Sequence, residues 1–523
     1  MAKDLANLPA DVLSELFAQA SCTDPPRRLD RQEQRRLRGK KYSLGWILMT
    51  HVCRRWRVIG LDLAPLWAAI ISFFPSPSVA DELLARSRDC GLTLELRGQL
   101  EPWIIQHIHR ASKLEVGSLI SSDSRDVLTS TSLPALHCLT MRRSFDDIQT
   151  SSRIDAPNLR KVSLHETVML FASIMHQLTT LEIIHVYYTP QDMIDTLTHL
   201  PSLEHLKLYG GLWTGSFPQT TVHLPHLARC NVHASSAQFF TDLWEHVSAP
   251  PTVTIRLVTN DVPNVSHLFK VLRPQLAYAS HDCLIVYSSG FSLTCGEPDA
   301  EGHHIAGVDW LFASGIDLGR AFIDMIEQIR LHIAVASIRH CELELSSELK
   351  YLQFDDADPV IKRLGDAIGA LSGVLSSTTA LALQGFEPDR TLLRALSPRG
   401  TSIPFPNLRT LYLGKNQSSW VGRHRVGPEP AVTTDWSLVE VTLKARKIAG
   451  VPLHHLVLAG EWCIRETQTQ AWTEQWAQHS IQCRDLDLVK EVKDERTLVT
   501  KCETCDIPEL EPPELESEGS DED

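Results

Sequence analysis

A six-residue frame, L-x-x-[LVC]-x-[LIVM], returns along this 523-residue chain every 19 to 25 residues. Its clearest copies are L-P-A-L-H-C-L-T-M from Leu133, A-P-N-L-R-K-V-S-L from Ala156 and L-T-T-L-E-I from Leu178, then L-P-S-L-E-H-L-K-L from Leu200 and L-P-H-L-A-R-C-N-V from Leu224. The leading leucines are Leu136, Leu159, Leu178, Leu203 and Leu227, giving steps of 23, 19, 25 and 24 residues. A unit so short cannot enclose a core, so it must stack on copies of itself. The alternation predicts a short strand in each copy, with the apolar positions inward and the x positions outward. Lys207, Arg409 and Tyr412 are among the outward positions.

Steps of this size match the period of about 20 to 29 residues of a leucine-rich repeat. Leu408, Leu411, Leu413 and Asn416 fit its L-x-x-L-x-L-x-x-N pattern in full, with weaker echoes at 92–98, 379–385 and 455–460. Residues 191–200 are expected to form a helix of the outer layer. Residues 245–370 fit less cleanly and are expected to hold divergent repeats. They include a strand within 281–289, a helix over 324–333 with Ile326, Ile329 and Ile333 on one side, and a further helix over 367–375. Long loops are expected at 296–307 and 422–430. Residues 471–492, with Trp472 and Trp476 one turn apart, would seal the last repeat.

The beginning of the chain follows another pattern. Residues 8–17 read L-P-A-D-V-L-S-E-L-F, and residues 46–67 read W-I-L-M-T-H-V-C-R-R-W-R-V-I-G-L-D-L-A-P-L-W. Pro9 suits the first turn of a helix, where its missing N–H costs nothing. Val12, Leu13, Leu16 and Phe17 then fall on one stripe, with Asp11 and Glu15 at the positive end of the helix dipole. Leu48, Val52, Trp56 and Ile59 recur at helical spacing, and Leu66 and Trp67 follow Pro65. Three short helices cannot bury all of these groups among themselves, which predicts a leftover apolar surface and a partner to cover it.

These two runs resemble the F-box motif, in particular the F-box-like domains of large fungal families, over roughly residues 5–71. The V-C-R-R-W core with a downstream L-W carries the specificity. The chain departs from the compact motif by an insert at 22–44, expected to loop out. The resemblance implies binding to the Skp adaptor and, through it, to a cullin. Carried over residue by residue, Leu8, Pro9, Val12, Leu13 and Leu16 would supply contacts from the first helix. Val52, Cys53 and Trp56 would supply a second group, with Leu66 and Trp67 nearby. As an aromatic hot spot, Trp56 would lose at least about 2 kcal/mol of adaptor affinity on truncation to Ala. The bland reading makes the same residues the core of a terminal helical cap.

Charge sharpens the division. The net charge is −14, yet residues 503–523 hold ten acidic groups and no Lys or Arg, leaving −4 for the rest. That tail has too little apolar material to fold alone and is expected to be disordered. The insert is basic, with Arg27, Arg28, Arg31, Arg35, Arg36, Arg38, Lys40 and Lys41 around Asp30 and Glu33. A solvated loop or helical extension is favoured there over nucleic-acid binding, since no aromatic residue interleaves with the charges. Twelve scattered cysteines fit reduced thiols of the cytosol or nucleus, and neither a signal peptide nor a membrane span is recognisable.

Catalytic motifs are missing from the sequence: there is no P-loop, nucleophile elbow, H-E-x-x-H or dinucleotide fingerprint. Cys502 and Cys505 form a single C-x-x-C, short of the four ligands of a structural zinc site. The adjacent pairs His303-His304 and His454-His455 do not share a face on a regular element. The expectation is an α/β chain with no catalytic, cofactor or metal site. It comprises a small all-α F-box-like unit over 1–75, an irregular leucine-rich repeat solenoid over 76–465, a cap over 466–500 and the acidic tail over 501–523. The expected role is substrate recognition in a Skp–cullin–F-box ubiquitin ligase, its F-box on the adaptor and its repeats on an unidentified target protein. The alternative is a repeat scaffold without ligase association.

Overall fold

A computed structural model describes residues 8–36, 40–117, 121–142, 154–167, 171, 174–185, 188–210, 215–260, 264–287, 290–295, 307–312, 318–333, 335–344, 359–384, 390–398, 403–413, 436–458, 461–463, 482–484, 486–495 and 497–499. The chain is mixed α/β and divides into two compact units: residues 1–235 with 242–250, and residues 236–241 with 251–523. The division falls inside the stretch expected to form one array.

The first unit begins with helices. Helix α1 (Ala10–Thr23) follows Pro9, which occupies the cap position and accepts the Leu13 N–H at 3.0 Å. The insert leaves and returns as an ordered excursion, its ends joined where the Trp46 N–H donates to the Asp24 carbonyl at 2.9 Å. Strand β1 (Arg27–Arg28) pairs antiparallel with β2 (Tyr42–Ser43), and between them lies α2 (Arg31–Arg36). A reciprocal cap starts α2: the Glu33 N–H donates to Asp30 Oδ1 at 2.7 Å, and the Asp30 N–H donates to Glu33 Oε2 at 3.1 Å. Arg27 donates to both Glu33 oxygens, at 2.7 and 2.5 Å. Buried Leu29 and the contacts of Tyr42 with Phe73 and Phe74 tie the insert down.

The second motif run is not one helix. It forms a 3-10 segment, Gly45–His51, then breaks at Cys53, whose backbone is extended (φ −158°, ψ 172°). Helix α3 (Arg54–Asp62) and α4 (Ala64–Ala69, with Pro65 in its first turn) follow, and α5 (Pro77–Ser87) leads to the sheet. The break moves Leu48 and Val52 off the face that carries Trp56, so the helical spacing of those positions does not survive.

Strands then follow in order: β3 (Leu92–Leu96), β4 (Ala111–Val116), β5 (Cys138–Arg142), β6 (Lys161–His165), β7 (Thr180–Ile184) and β8 (His205–Tyr209), the last four from copies of the leucine frame. A side pair of β9 (Val222–His223) and β11 (Val247–Ser248) brackets β10 (Arg229–Ala234), which lies beside β8. Neighbours from β3 to β8 and β10 are parallel. One register ladder runs Leu94, Leu114, Leu139, Val162, Leu181, Leu206, Cys230, and every member is at most 2% exposed. Burying one such side chain stabilises by about 1.5–3 kcal/mol.

The leading leucines supply the turn before each strand. The N–H groups of Leu136, Leu159, Leu178, Leu203 and Leu227 each donate to the carbonyl three residues earlier, at 3.0–3.3 Å. The next carbonyls bind the following repeat: Arg160 O accepts from both Thr179 and Thr180, and Glu204 O from both Ala228 and Arg229. Asn158 and Asn407, in the shared P-N-L-R string, donate from Nδ2 to the carbonyls of Pro134 and Ser376 at 2.8 and 2.9 Å. The expected outer helix is Pro190–Thr198, capped by Thr189, whose hydroxyl accepts the Asp192 N–H.

The second unit repeats this scheme with one interruption. Strand β12 (Thr254–Thr259) precedes β13 (Cys283–Tyr287), β14 (Gly290–Thr294) and β15 (Gly307–Phe312). Here β14 is antiparallel to both β13 and β15, and β15 returns parallel to β12. Simple divergent repeats would have stayed parallel. Gly290 makes the reversal feasible: its φ is 152°, and a Cβ there would sit 1.8 Å from the Trp310 carbonyl oxygen. Parallel order resumes from β13 through β16 (His340–Glu344), β17 (Ala380–Gln384), β18 (Thr410–Leu413) and β19 (Leu453–Leu458). Beyond a short β20 (Glu461–Cys463), β21 (Val489–Asp494) joins β19, and β22 (Thr497–Val499) pairs with β20. The expected helices are Leu318–His332, with Ile326, Ile329 and Ile333 buried, and Pro359–Val374. Asn416, Trp472, Trp476, His303, His304, Cys502, Cys505, both long loops and the acidic tail lie outside the described residues.

Candidate functional site

The N-terminal helices build their own core from aromatic rings. Phe17 of α1 meets Trp46 edge-on at 6.2 Å and Trp56 at 6.1 Å, and Trp46 meets Trp67 at 4.8 Å. Trp67 Nε1 donates to the Gly60 carbonyl at 2.9 Å, and the Arg86 guanidinium lies 4.8 Å above the Trp67 ring. Gly60 is held to glycine by crowding, since a Cβ would be 2.8 Å from the Phe17 ring.

Against that core the ten sequence-derived contact residues separate into three groups. Leu13, Trp56 and Trp67 are buried, at 0%, 8% and 1% exposure, so the structure places them inside the module. Leu8, Cys53 and Leu66 are half-buried. Pro9, Val12, Leu16 and Val52 are exposed, Val52 at 61%. Trp56, expected to be an aromatic hot spot, instead has its ring packed beside Phe17 at 6.1 Å. The contact set expected from the sequence did not include Leu44, Leu48, Val58 and Leu61, all large apolar residues on the surface. The four-residue steps Leu44, Leu48, Val52 were a signal for part of this set. Treating the run as one helix concealed it by adding Trp56 to the same stripe.

Seven exposed large apolar side chains thus fall between residues 12 and 61: Val12, Leu16, Leu44, Leu48, Val52, Val58 and Leu61. Among the described residues of the same unit from β3 onward, Ile174 is the one such side chain. Apolar surface concentrated within one small module of helices is the pattern of a contact for another molecule.

The sheet of the first unit presents the opposite chemistry. Between the buried ladder positions lie Glu95, Glu115, Thr140, Ser163, Glu182, Lys207 and Asn231, in one cross-strand row. Its carboxylates are answered locally. Arg97 pairs with Glu95 at 2.7 Å, Arg142 pairs with Glu115 at 3.1 Å, and the Ser163 hydroxyl donates to Glu182 at 3.3 Å. Tyr209 and His233 stack at 4.8 Å. Burial and then nearby Arg142 hold His165 below the usual histidine range. Lys207 and Tyr412 stand on strands between buried leucines, whereas Arg409 lies in the turn before β18. His454 and His455 sit at the start of β19, with His455 Nδ1 3.1 Å from Glu491 of β21.

Among the described residues, no group of three or more His, Cys, Asp or Glu is placed to hold a metal ion. No helix among them is long and apolar enough to cross a membrane. The described cysteines are free thiols, and burial pushes Cys230 up to about 12. No family model matches this chain, and no curated protein matches its sequence.

Proposed function

We propose that the chain is a substrate receptor of a Skp–cullin–F-box ubiquitin ligase. The observation that carries this reading is the contrast within the N-terminal module. Its aromatic core is complete, yet Val12, Leu16, Leu44, Leu48 and Val52 face outward. A mere end cap would turn those side chains onto the sheet. The F-box resemblance of L-P…V-C-R-R-W-R…L-W supplies the identity of the partner, the Skp adaptor. In this reading the adaptor contacts are Leu8, Pro9, Val12, Leu16 and Val52, extended by Leu44 and Leu48, while Leu13, Trp56 and Trp67 hold the module in shape.

The parallel strands with their shared leucine turn are read as an irregular leucine-rich repeat array, whose polar sheet face receives the target. Ubiquitin transfer then belongs to other subunits, and this chain needs no catalytic group. Co-expression with the adaptor followed by purification tests the reading. A direct, stoichiometric complex is expected. A chain that purifies alone, folded and indifferent to the adaptor, would instead be a repeat scaffold without ligase association.

A further inference from the structure

In the second unit, the backbone lays the turns that lead into the last parallel strands side by side. The Thr379 N–H donates to the Arg339 carbonyl at 2.9 Å, the Arg409 N–H to the Thr379 carbonyl at 2.8 Å and the His454 N–H to the Arg409 carbonyl at 2.8 Å. Lys490 of β21 stands opposite His454, since Leu453 faces Val489 and His455 faces Glu491. The row at this edge therefore runs Arg339, Thr379, Arg409, His454, Lys490, one residue for each neighbouring strand from β16 to β21. Arg339, Arg409 and Lys490 are exposed and make no side-chain ion pair with the described residues. Desolvation first, and then the positive charges of Lys490 and Arg409, hold His454 below the usual histidine range. Glu491, next to Lys490, is already answered by His455 at 3.1 Å and Lys493 at 3.6 Å. Asp282, whose carbonyl accepts the Arg339 N–H at 2.9 Å, brings a carboxylate to the far end. The surplus of positive charge is therefore greatest around Arg409 and Lys490, two strands apart and so separated by about 10 Å.

We propose that the acidic residues 503–523 of the same chain dock along this edge. They carry ten acidic groups and no Lys or Arg, the charge that Arg409 and Lys490 lack as a partner. The reach is sufficient. Val499, at the end of β22, follows Lys490 by nine residues, at most about 30 Å of chain. From Lys490 to Arg339 is four strand spacings, about 19 Å. Residues 503–523 can extend about 70 Å, enough to return past Lys490 and run the length of the row. Each exposed ion pair is weak on its own and is screened by salt. A tether nevertheless holds the segment at an effective concentration on the order of millimolar, so several weak pairs keep the edge occupied. Acidic groups of any other molecule must then compete with the chain's own segment for Arg409 and Lys490. The inference does not depend on the adaptor reading.

The test uses full-length chains and a fluorescent peptide with the sequence of residues 503–523. One chain is wild type. In the other, the ten carboxylates of that segment are replaced by their amides. The neutralised chain is expected to bind the peptide saturably and more weakly as salt rises. The wild-type chain, its edge already occupied, should bind it about ten-fold or more less tightly. In the neutralised chain, Arg409→Glu/Lys490→Glu should lower affinity about ten-fold or more, and Arg409→Lys/Lys490→Arg should retain it. Equal affinity of the wild-type and neutralised chains, no saturable binding by the neutralised chain, or unchanged affinity after charge reversal each overturns the proposal. Carbodiimide cross-linking of the wild-type chain needs no variant to fold. Mass spectrometry should find Lys490 joined to carboxylates of 503–523, in fewer molecules at high salt. Segment cross-links that reach only other lysines overturn the proposal. So do Lys490 cross-links that join labelled to unlabelled copies in a mixed sample, because the docked segment would then belong to a second chain.

Discussion

The N-terminal helices and the sheet they precede belong to one compact unit, yet they treat apolar side chains in opposite ways. The sheet hides its ladder, from Leu94 through Leu206, and shows polar rows. The helices hide rings and show aliphatic groups, with Val52 and Val58 exposed at 61% and 62%. The difference lies in the number of faces. A strand has two, and alternation assigns one to each environment. A helix stripe is continuous, and α1 divides its own: Leu13 and Phe17 point inward, while Val12 and Leu16, one residue earlier and so about 100° around, point out. The helical module is finished inside and unfinished outside. The proposed receptor role rests on that contrast.

The comparison breaks most visibly if the buried rings are not structural. Trp67→Ala is expected to destabilise the chain by about 3–5 kcal/mol, and Trp56→Ala by about 3 kcal/mol, in chemical denaturation. Trp56→Ala that left stability intact but abolished adaptor binding would return that ring to the contact set. Next in size, Gly60→Ala should destabilise by about 2 kcal/mol, because the new methyl would meet the Phe17 ring and Thr50 at 2.8 and 2.9 Å.

A smaller effect sharpens the contrast from the sheet side, in the second unit. Asp309 of β15 is a strand carboxylate that is only partly answered. Its Oδ1 is buried and unpartnered, and its Oδ2 is 3.7 Å from Arg256. Burial raises its carboxyl from 3.8 to about 6, against the opposing pull of Arg256. The folded state therefore holds this proton more tightly than the unfolded state. Its contribution to stability is fullest below about pH 4, is lost as pH rises to about 6, and stays lost above that. Asp309→Asn should flatten this part of the pH profile and gain about 1–2 kcal/mol at neutral pH, read by denaturation at several pH values.

Much of the sheet was legible in the sequence because the apolar ladder has a period of two and the turn leucines have a period near 23. Even the weak echo at 92–98 marks β3 (Leu92–Leu96). The antiparallel β14 was not legible, since its reversal depends on Gly290 beside the Trp310 carbonyl, a contact between strands that local pattern does not encode. The candidate site was half legible. The motif located the module, but which of its apolar residues face inward depends on the break at Cys53 and on the ring cluster around Phe17. Neither has a periodic signature. The anchoring of the insert was not legible for a related reason: it comes from one buried leucine, Leu29, and from two phenylalanines more than thirty residues farther along.

The central claim is that the outward aliphatic groups exist to be covered by the Skp adaptor. Leu48→Asp/Val52→Asp tests it most directly, with adaptor affinity measured by calorimetry beside the midpoint of thermal unfolding. Both side chains are more than half exposed, so stability should change by less than about 0.5 kcal/mol while adaptor affinity falls by about 2 kcal/mol or more. Unchanged affinity in a folded double variant would contradict the account.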